Sequence, residues 1–77
     1  MKDKKHIKYI KTQIKSGSNI AKEAEKLKIS RQFLHKMLKD NLDASKRLSI
    51  RIEKYSDRKI SALEAMGLDY NKIFNQN

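Results

Sequence analysis

Residues 19–39 read NIAKEAEKLKISRQFLHKMLK, and this stretch decides the fold. Two segments with the apolar spacing of a helix lie almost end to end in it. Ile20, Ala24 and Leu27 share one face of the first, with Lys22, Glu23, Glu25 and Lys26 facing outward, and Phe33, Leu34, Met37 and Leu38 share one face of the second. Ser18 or Asn19 suits the N-cap of the first helix and Ser30 that of the second, because a short side-chain oxygen there accepts one of the amides a helix start leaves unpaired. Only Lys28 and Ile29 separate Leu27 from Ser30. The stretch is therefore expected to be two helices meeting at a tight corner.

Toward the N-terminus, Asp3 is placed to cap a helix over about residues 4–16, with Ile7, Ile10 and Ile14 on one face and Gly17 as a left-handed stop. Toward the C-terminus, Asp40-Asn41-Leu42-Asp43 has loop composition, and Ser45 opens a fourth helix with Leu48, Ile52 and Tyr55 on one face. Leu48, Ile50 and Ile52 also alternate as a half-buried strand would; helix is the preferred reading of the two. Ser61-Ala62-Leu63-Glu64 matches a capping box, predicting a short fifth helix that stops at Gly67. Beyond it Tyr70, Ile73 and Phe74 fall at helical spacing after Asp69. The expected architecture is all-α, a single compact five-helix domain over residues 1–67 with a tail over 68–77.

Composition narrows the function. The chain has 77 residues, 19 Lys plus Arg against 9 Asp plus Glu, and a net charge of +10. A domain of this size builds one small core and has little volume for a deep pocket, so binding is expected and enzymatic activity or a small-molecule substrate is not. With no cysteine and only His6 and His35, no disulfide, metal site or cofactor is expected. No paired carboxylates or activated nucleophile stand at a recognisable spacing. Apolar residues never run beyond two in succession, which argues against a membrane span or secretory leader and for a cytoplasmic protein.

The charge is unevenly spread. At 100° per residue from Arg31, the apolar side chains of the third helix fill an arc of roughly 140°, and Arg31, Gln32, His35, Lys36 and Lys39 fill an opposing arc of similar width. That second arc carries no carboxylate. A solvated helix face ordinarily mixes signs, because unlike charges four residues apart stabilise it. A face of cations and amides alone suits an anionic partner. Arg bonds guanine O6 and N7 in parallel, Gln bonds adenine N6 and N7, and Lys neutralises phosphate, so the face matches the major groove of double-stranded DNA.

Residues 24–38, AEKLKISRQFLHKML, resemble the helix-turn-helix of Cro and lambda-repressor-type regulators: a small residue, a Leu, a turn, an aliphatic residue, Ser and a basic helix follow in order. Residues 44–55, ASKRLSIRIEKY, resemble the next helix of that family, and the similarity extends over about residues 7–66. It implies a helix-turn-helix at 19–39, of the branch that includes small phage regulators and YdaS-type antitoxins. It also implies that Ala24 permits the helices to cross closely, that Ile29 and Leu34 fill the space between them, and that Met37 and Leu38 anchor the second helix. Two positions depart from the pattern. Lys28 stands at a turn position often held by Gly, which costs on the order of 1 kcal/mol if the residue is left-handed. Ile20 stands where many relatives carry a Gln that touches phosphate.

The reading assigns base contacts to Arg31, Gln32, His35 and Lys36, and phosphate contacts to Ser18, Asn19, Lys22, Ser30, Lys39, Lys46 and Arg47. The lysines of the first sixteen residues, which carry a net charge of +5, are expected to add unspecific phosphate affinity. One domain reads few base pairs, so a homodimer on a pseudopalindromic operator is expected, joined through Ile50, Leu68, Tyr70, Ile73 and Phe74. The function expected is that of a bacterial or phage-encoded transcriptional repressor. The alternative is an antitoxin or other interaction module that binds a toxin or another partner protein and represses its own operon. A membrane-active peptide is disfavoured by short, separately capped helices without Trp, and RNA binding by the lack of an aromatic stacking platform.

Overall fold

The structure is a computed structural model and describes residues 3–68. It contains α1 (Lys5–Lys15), α2 (Ile20–Leu27), α3 (Arg31–Asp40), α4 (Lys46–Tyr55) and α5 (Ala62–Ala65), and no strand among the described residues. Four of the five helix starts are closed by the side chain expected of such sequences. Asn19, not Ser18, caps α2, its Oδ1 accepting from the Lys22 amide at 2.9 Å. Ser30 Oγ accepts from the Phe33 amide at 3.0 Å, and Ser45 Oγ from the Leu48 amide at 3.3 Å. At α5 the reciprocal box is complete, with Glu64 N donating to Ser61 Oγ at 3.1 Å and Ser61 N to Glu64 Oε1 at 3.2 Å.

α1 departs from expectation. Its N-cap residue is Lys4, which makes no side-chain cap bond, and the Asp3 carboxylate instead accepts from Lys11 Nζ at 3.0 Å. The Lys4 amide donates to Asn41 Oδ1 at 2.8 Å, so the start of α1 is tied to the end of α3 rather than to its own preceding residue.

Breaks between helices fall at residues with positive φ. Gly17 (φ +110°) follows α1, Lys28 (φ 58°) ends α2 and Asn41 (φ 53°) ends α3. At the α2–α3 corner the Lys28 and Ile29 amides donate back to Glu25 O and Ala24 O at 3.1 and 3.0 Å, which satisfies the final carbonyls of α2 within the turn. The alternation at Leu48, Ile50 and Ile52 does not make a strand. These residues lie in α4, where Leu48 and Ile52 are buried while Ile50, about 200° round the helix from Leu48, is 44% exposed.

The core joins all five helices. Ile7 and Ile10 of α1, Ala24 and Leu27 of α2, Leu34 and Met37 of α3, and Leu48 and Ile52 of α4 meet Ala44, Ile60 and Ala65. Ala24 is 2% exposed, so the position is filled without a larger side chain holding the helices apart. The buried stripe of α3 is narrower than its sequence suggests. Leu34 and Met37 are fully buried, Leu38 is half-buried, and Phe33 is 43% exposed at the stripe's edge. No helix among the described residues is long and apolar enough to cross a membrane.

Candidate functional site

With Leu34 and Met37 held in the core, the opposite face of α3 turns to solvent. Arg31, Gln32, His35, Lys36 and Lys39 are all exposed. Among the described residues none of Arg31, Lys36 and Lys39 forms an ion pair. The helix runs one residue further than its periodicity suggests and takes in Asp40, whose carboxylate stands at the far end from Arg31. The basic face is thus free of acid over its first nine residues.

The first turn of α3 lies beside the first turn of α2. Ile20, Arg31, Gln32 and His35 line one open cleft of about 440 Å³, which brings three of the four expected base-contact residues together around an isoleucine. Lys36 is on the same face of the helix but does not line the cleft.

The expected phosphate contacts divide into two kinds. Asn19 and Ser30 are occupied as caps, and the Ser18 hydroxyl donates inward to Glu23 Oε2 at 2.6 Å. These three hold the helix starts in place. Lys22 and Lys39 are exposed, as are Lys46 and Arg47 at the start of α4 across the 41–45 connection. At the basic N-terminal segment Lys4, Lys5 and Lys11 meet Asp43, Glu64 and Asp3 at 3.2, 3.0 and 3.0 Å, so three of its lysines brace the fold. Of the expected dimer residues, Ile50 and Leu68 are exposed, at 44% and 45%; Tyr70, Ile73 and Phe74 lie outside the described residues.

Two buried ionisable groups were not anticipated. Glu23, expected to face solvent, is fully buried. On the helix it stands three residues after Ile20 and four before Leu27, on the apolar face, and α4 covers it. Its carboxylate accepts from the Ser18 and Tyr55 hydroxyls and pairs with Lys26 Nζ at 3.4 Å. Burial opposes its charge, but the two hydroxyls and the ammonium outweigh that and hold its pKa below the ordinary carboxylate value. The Tyr55 hydroxyl is pushed far above its ordinary value, first by burial and then by its bond to the Glu23 carboxylate. Tyr55 in turn stacks edge-on against Tyr9, ring centres 5.7 Å apart, so one carboxylate links α2, α4 and α1. The second group is His6, fully buried, whose Nε2 donates to Leu42 O at 2.8 Å while Nδ1 has no partner among the described residues. Its pKa is lowered, chiefly by burial, against the opposing effects of Leu42 O and Asp43.

No family model, curated protein or solved structure matches the chain.

Proposed function

We propose that the protein is a sequence-specific double-stranded DNA-binding protein of the Cro/lambda-repressor-like helix-turn-helix type, acting as a transcriptional repressor that occupies a pseudopalindromic operator as a homodimer. The observation that carries this reading is the outward face of α3. Four cationic or amide-bearing side chains, Arg31, Gln32, Lys36 and Lys39, and the His35 imidazole stand there exposed, and the Arg and Lys side chains form no ion pair among the described residues. A major groove admits one α-helix, and the residues at the start of such a helix lie nearest the base edges. In that arrangement Arg31, Gln32 and His35 read bases, Lys36 and Lys39 flank them, and Lys22, Lys46 and Arg47 meet phosphates. The α2–α3 corner supports the same type: three residues join the helices, Lys28 is left-handed, and Ala24 is buried where they cross.

The dimer surface is proposed at Ile50 and Leu68, the large apolar side chains outside α3 that are exposed among the described residues, together with Tyr70, Ile73 and Phe74 on the sequence pattern alone. The test is selection of bound duplexes from a random pool at defined salt, with amide chemical shifts followed during titration. A two-fold symmetric site with half-sites about one helical turn apart, and shifts concentrated at residues 31–39, is the expected result. Shifts that spare 31–39, or recovery of unrelated sequences, would overturn it. Co-purification of a second polypeptide with no selective duplex binding would favour the partner-protein alternative.

A further inference from the structure

The cleft at the start of α3 has a composition that phosphate binding does not explain. Three of its four lining residues, Arg31, Gln32 and His35, bear hydrogen-bond donors; the fourth is Ile20, whose side chain also packs against the core. Most of the lining is nonetheless apolar, and no carboxylate contributes to it. A phosphate would make no use of the isoleucine face and would lose hydration against it without a compensating bond. The ligand that fits presents an apolar group beside an acceptor.

Among the four bases only thymine does so on its major-groove edge, where the C5 methyl adjoins the O4 acceptor; cytosine offers a donor there, and adenine and guanine have no methyl. We propose that Ile20 is a specificity-determining residue that receives a thymine methyl in this cleft, while a donor from Arg31, Gln32 or His35 bonds the neighbouring O4. This inference rests on the DNA-binding reading and adds to it a base identity and a residue outside α3. Ile20 is suited to the part because it opens α2, with Asn19 holding that turn in place through the Lys22 amide, so its side chain is presented from a fixed helix start.

The test uses the full chain and the duplex it selects from a random pool. Each thymine of that duplex is replaced singly by deoxyuridine, which keeps O4 and the base pair and removes only the methyl. One position per half-site is expected to weaken binding about fourfold, the worth of one buried methyl, with other thymines changing it less than twofold. In Ile20→Ala that position is expected to lose its sensitivity, thymine and deoxyuridine binding alike; Ile20→Val, a smaller change to the fold, should keep part of it. A 5-methylcytosine–guanine pair at that position, which has the methyl but a donor in place of O4, should bind no better than deoxyuridine. If the chain selects a sequence but no deoxyuridine replacement exceeds twofold, or if the sensitivity persists in Ile20→Ala, Ile20 is not the reader. If it selects no sequence, the DNA-binding reading fails and this inference with it.

Discussion

Glu23 and Tyr55 allow a test of how the scaffold under α3 is held. Tyr55→Phe removes one hydroxyl that donates to the buried carboxylate, leaving Ser18 and Lys26 in place. A hydrogen bond to a charged group contributes about 1.5–3 kcal/mol, so a loss near 2 kcal/mol is expected. That corresponds to roughly 8–16 °C in melting temperature for a domain of this length. Glu23→Ala removes the shared acceptor and leaves both hydroxyls without it. Both hydroxyl residues are only half-buried, so the expected cost is about 3 kcal/mol, toward the lower part of the range for two orphaned groups. Lys26 adds little, since its side chain is 60% exposed and regains water when unpaired; Lys26→Ala should cost less than about 0.5 kcal/mol. The double variant should therefore lose about 3 rather than 5 kcal/mol, a coupling near 2 kcal/mol. Urea unfolding followed by circular dichroism at neutral pH measures all four chains, against a total stability of about 4–12 kcal/mol for this length. Additive losses would refute a direct bond between the two side chains. The pH dependence has a definite sign. Because the folded state lowers the Glu23 pKa, its contribution is complete above the unfolded value of 4.5 and is lost as pH falls through the lower folded value.

Other predictions follow from single groups. His6 is held neutral, with a folded pKa below its unfolded 6.5, so stability should decline as pH falls from about 6.5 toward that lower value; His6→Gln should flatten the decline, measured as melting temperature against pH. Gly67 has φ +80° and a Cβ there would lie 2.6 Å from the Asp43 carboxylate, so Gly67→Ala should cost at least about 1 kcal/mol in urea unfolding. On the proposed function, Arg31→Ala should lose about 1–3 kcal/mol of binding and relax base preference, whereas Lys46→Ala should weaken all duplexes alike and reduce the salt slope by about one unit. Equal losses on selected and random DNA for both variants would remove that division of roles.

Much of the fold was legible because local signals agreed with one another. At Ser30, Ser45 and Ser61 a capping side chain coincides with the onset of helical spacing, and each caps the helix it precedes. Where signals conflicted, tertiary packing decided. Alternation at 48–52 suggested a strand, but Leu48 and Ile52 share a helix face and Ile50 needs no partner there. Asp3 failed as a cap because Lys11 and Asn41 supply competing partners, and Asn41 is distant in sequence from α1. Glu23 was misplaced because charged residues are ordinarily solvated. Its position between Ile20 and Leu27 on the apolar face was visible, but the acceptor's need for Ser18 and Tyr55 becomes apparent only when α4 is folded against α2. His6 is the same case: it precedes Ile10 by one helical turn, and the Leu42 carbonyl that satisfies it comes from the far side of α3. For the candidate site, the wheel of α3 separated exposed from buried side chains correctly except at its edges, Phe33 and Leu38, since a wheel gives direction but not how far a neighbouring helix reaches.

The placement of the acids bears on the candidate site as much as the placement of the bases. Asp3, Glu23, Asp43 and Glu64 are each paired, with Lys11, Lys26, Lys4 and Lys5, and none of those lysines belongs to α3. These carboxylates are committed to the α1 start, the α2–α4 contact and α5, where they offset repulsion among the scaffold lysines of a chain with net charge +10. Among the described residues the α3 cations form no such ion pair. A field concentrated in this way costs some stability through self-repulsion, and that cost is recovered when an anion covers the face. Exposed surface charge acts within about a Debye length, so the attraction is strongest for a partner docked on α3 itself. Lys46 and Arg47, which open α4 beyond the 41–45 connection, then extend the positive surface from the start of a second helix, where free amides add to it. On the proposed function, charge at two helix starts, joined by residues 41–45, would meet phosphates spaced along a duplex, whereas one cluster would suffice for a compact acidic ligand.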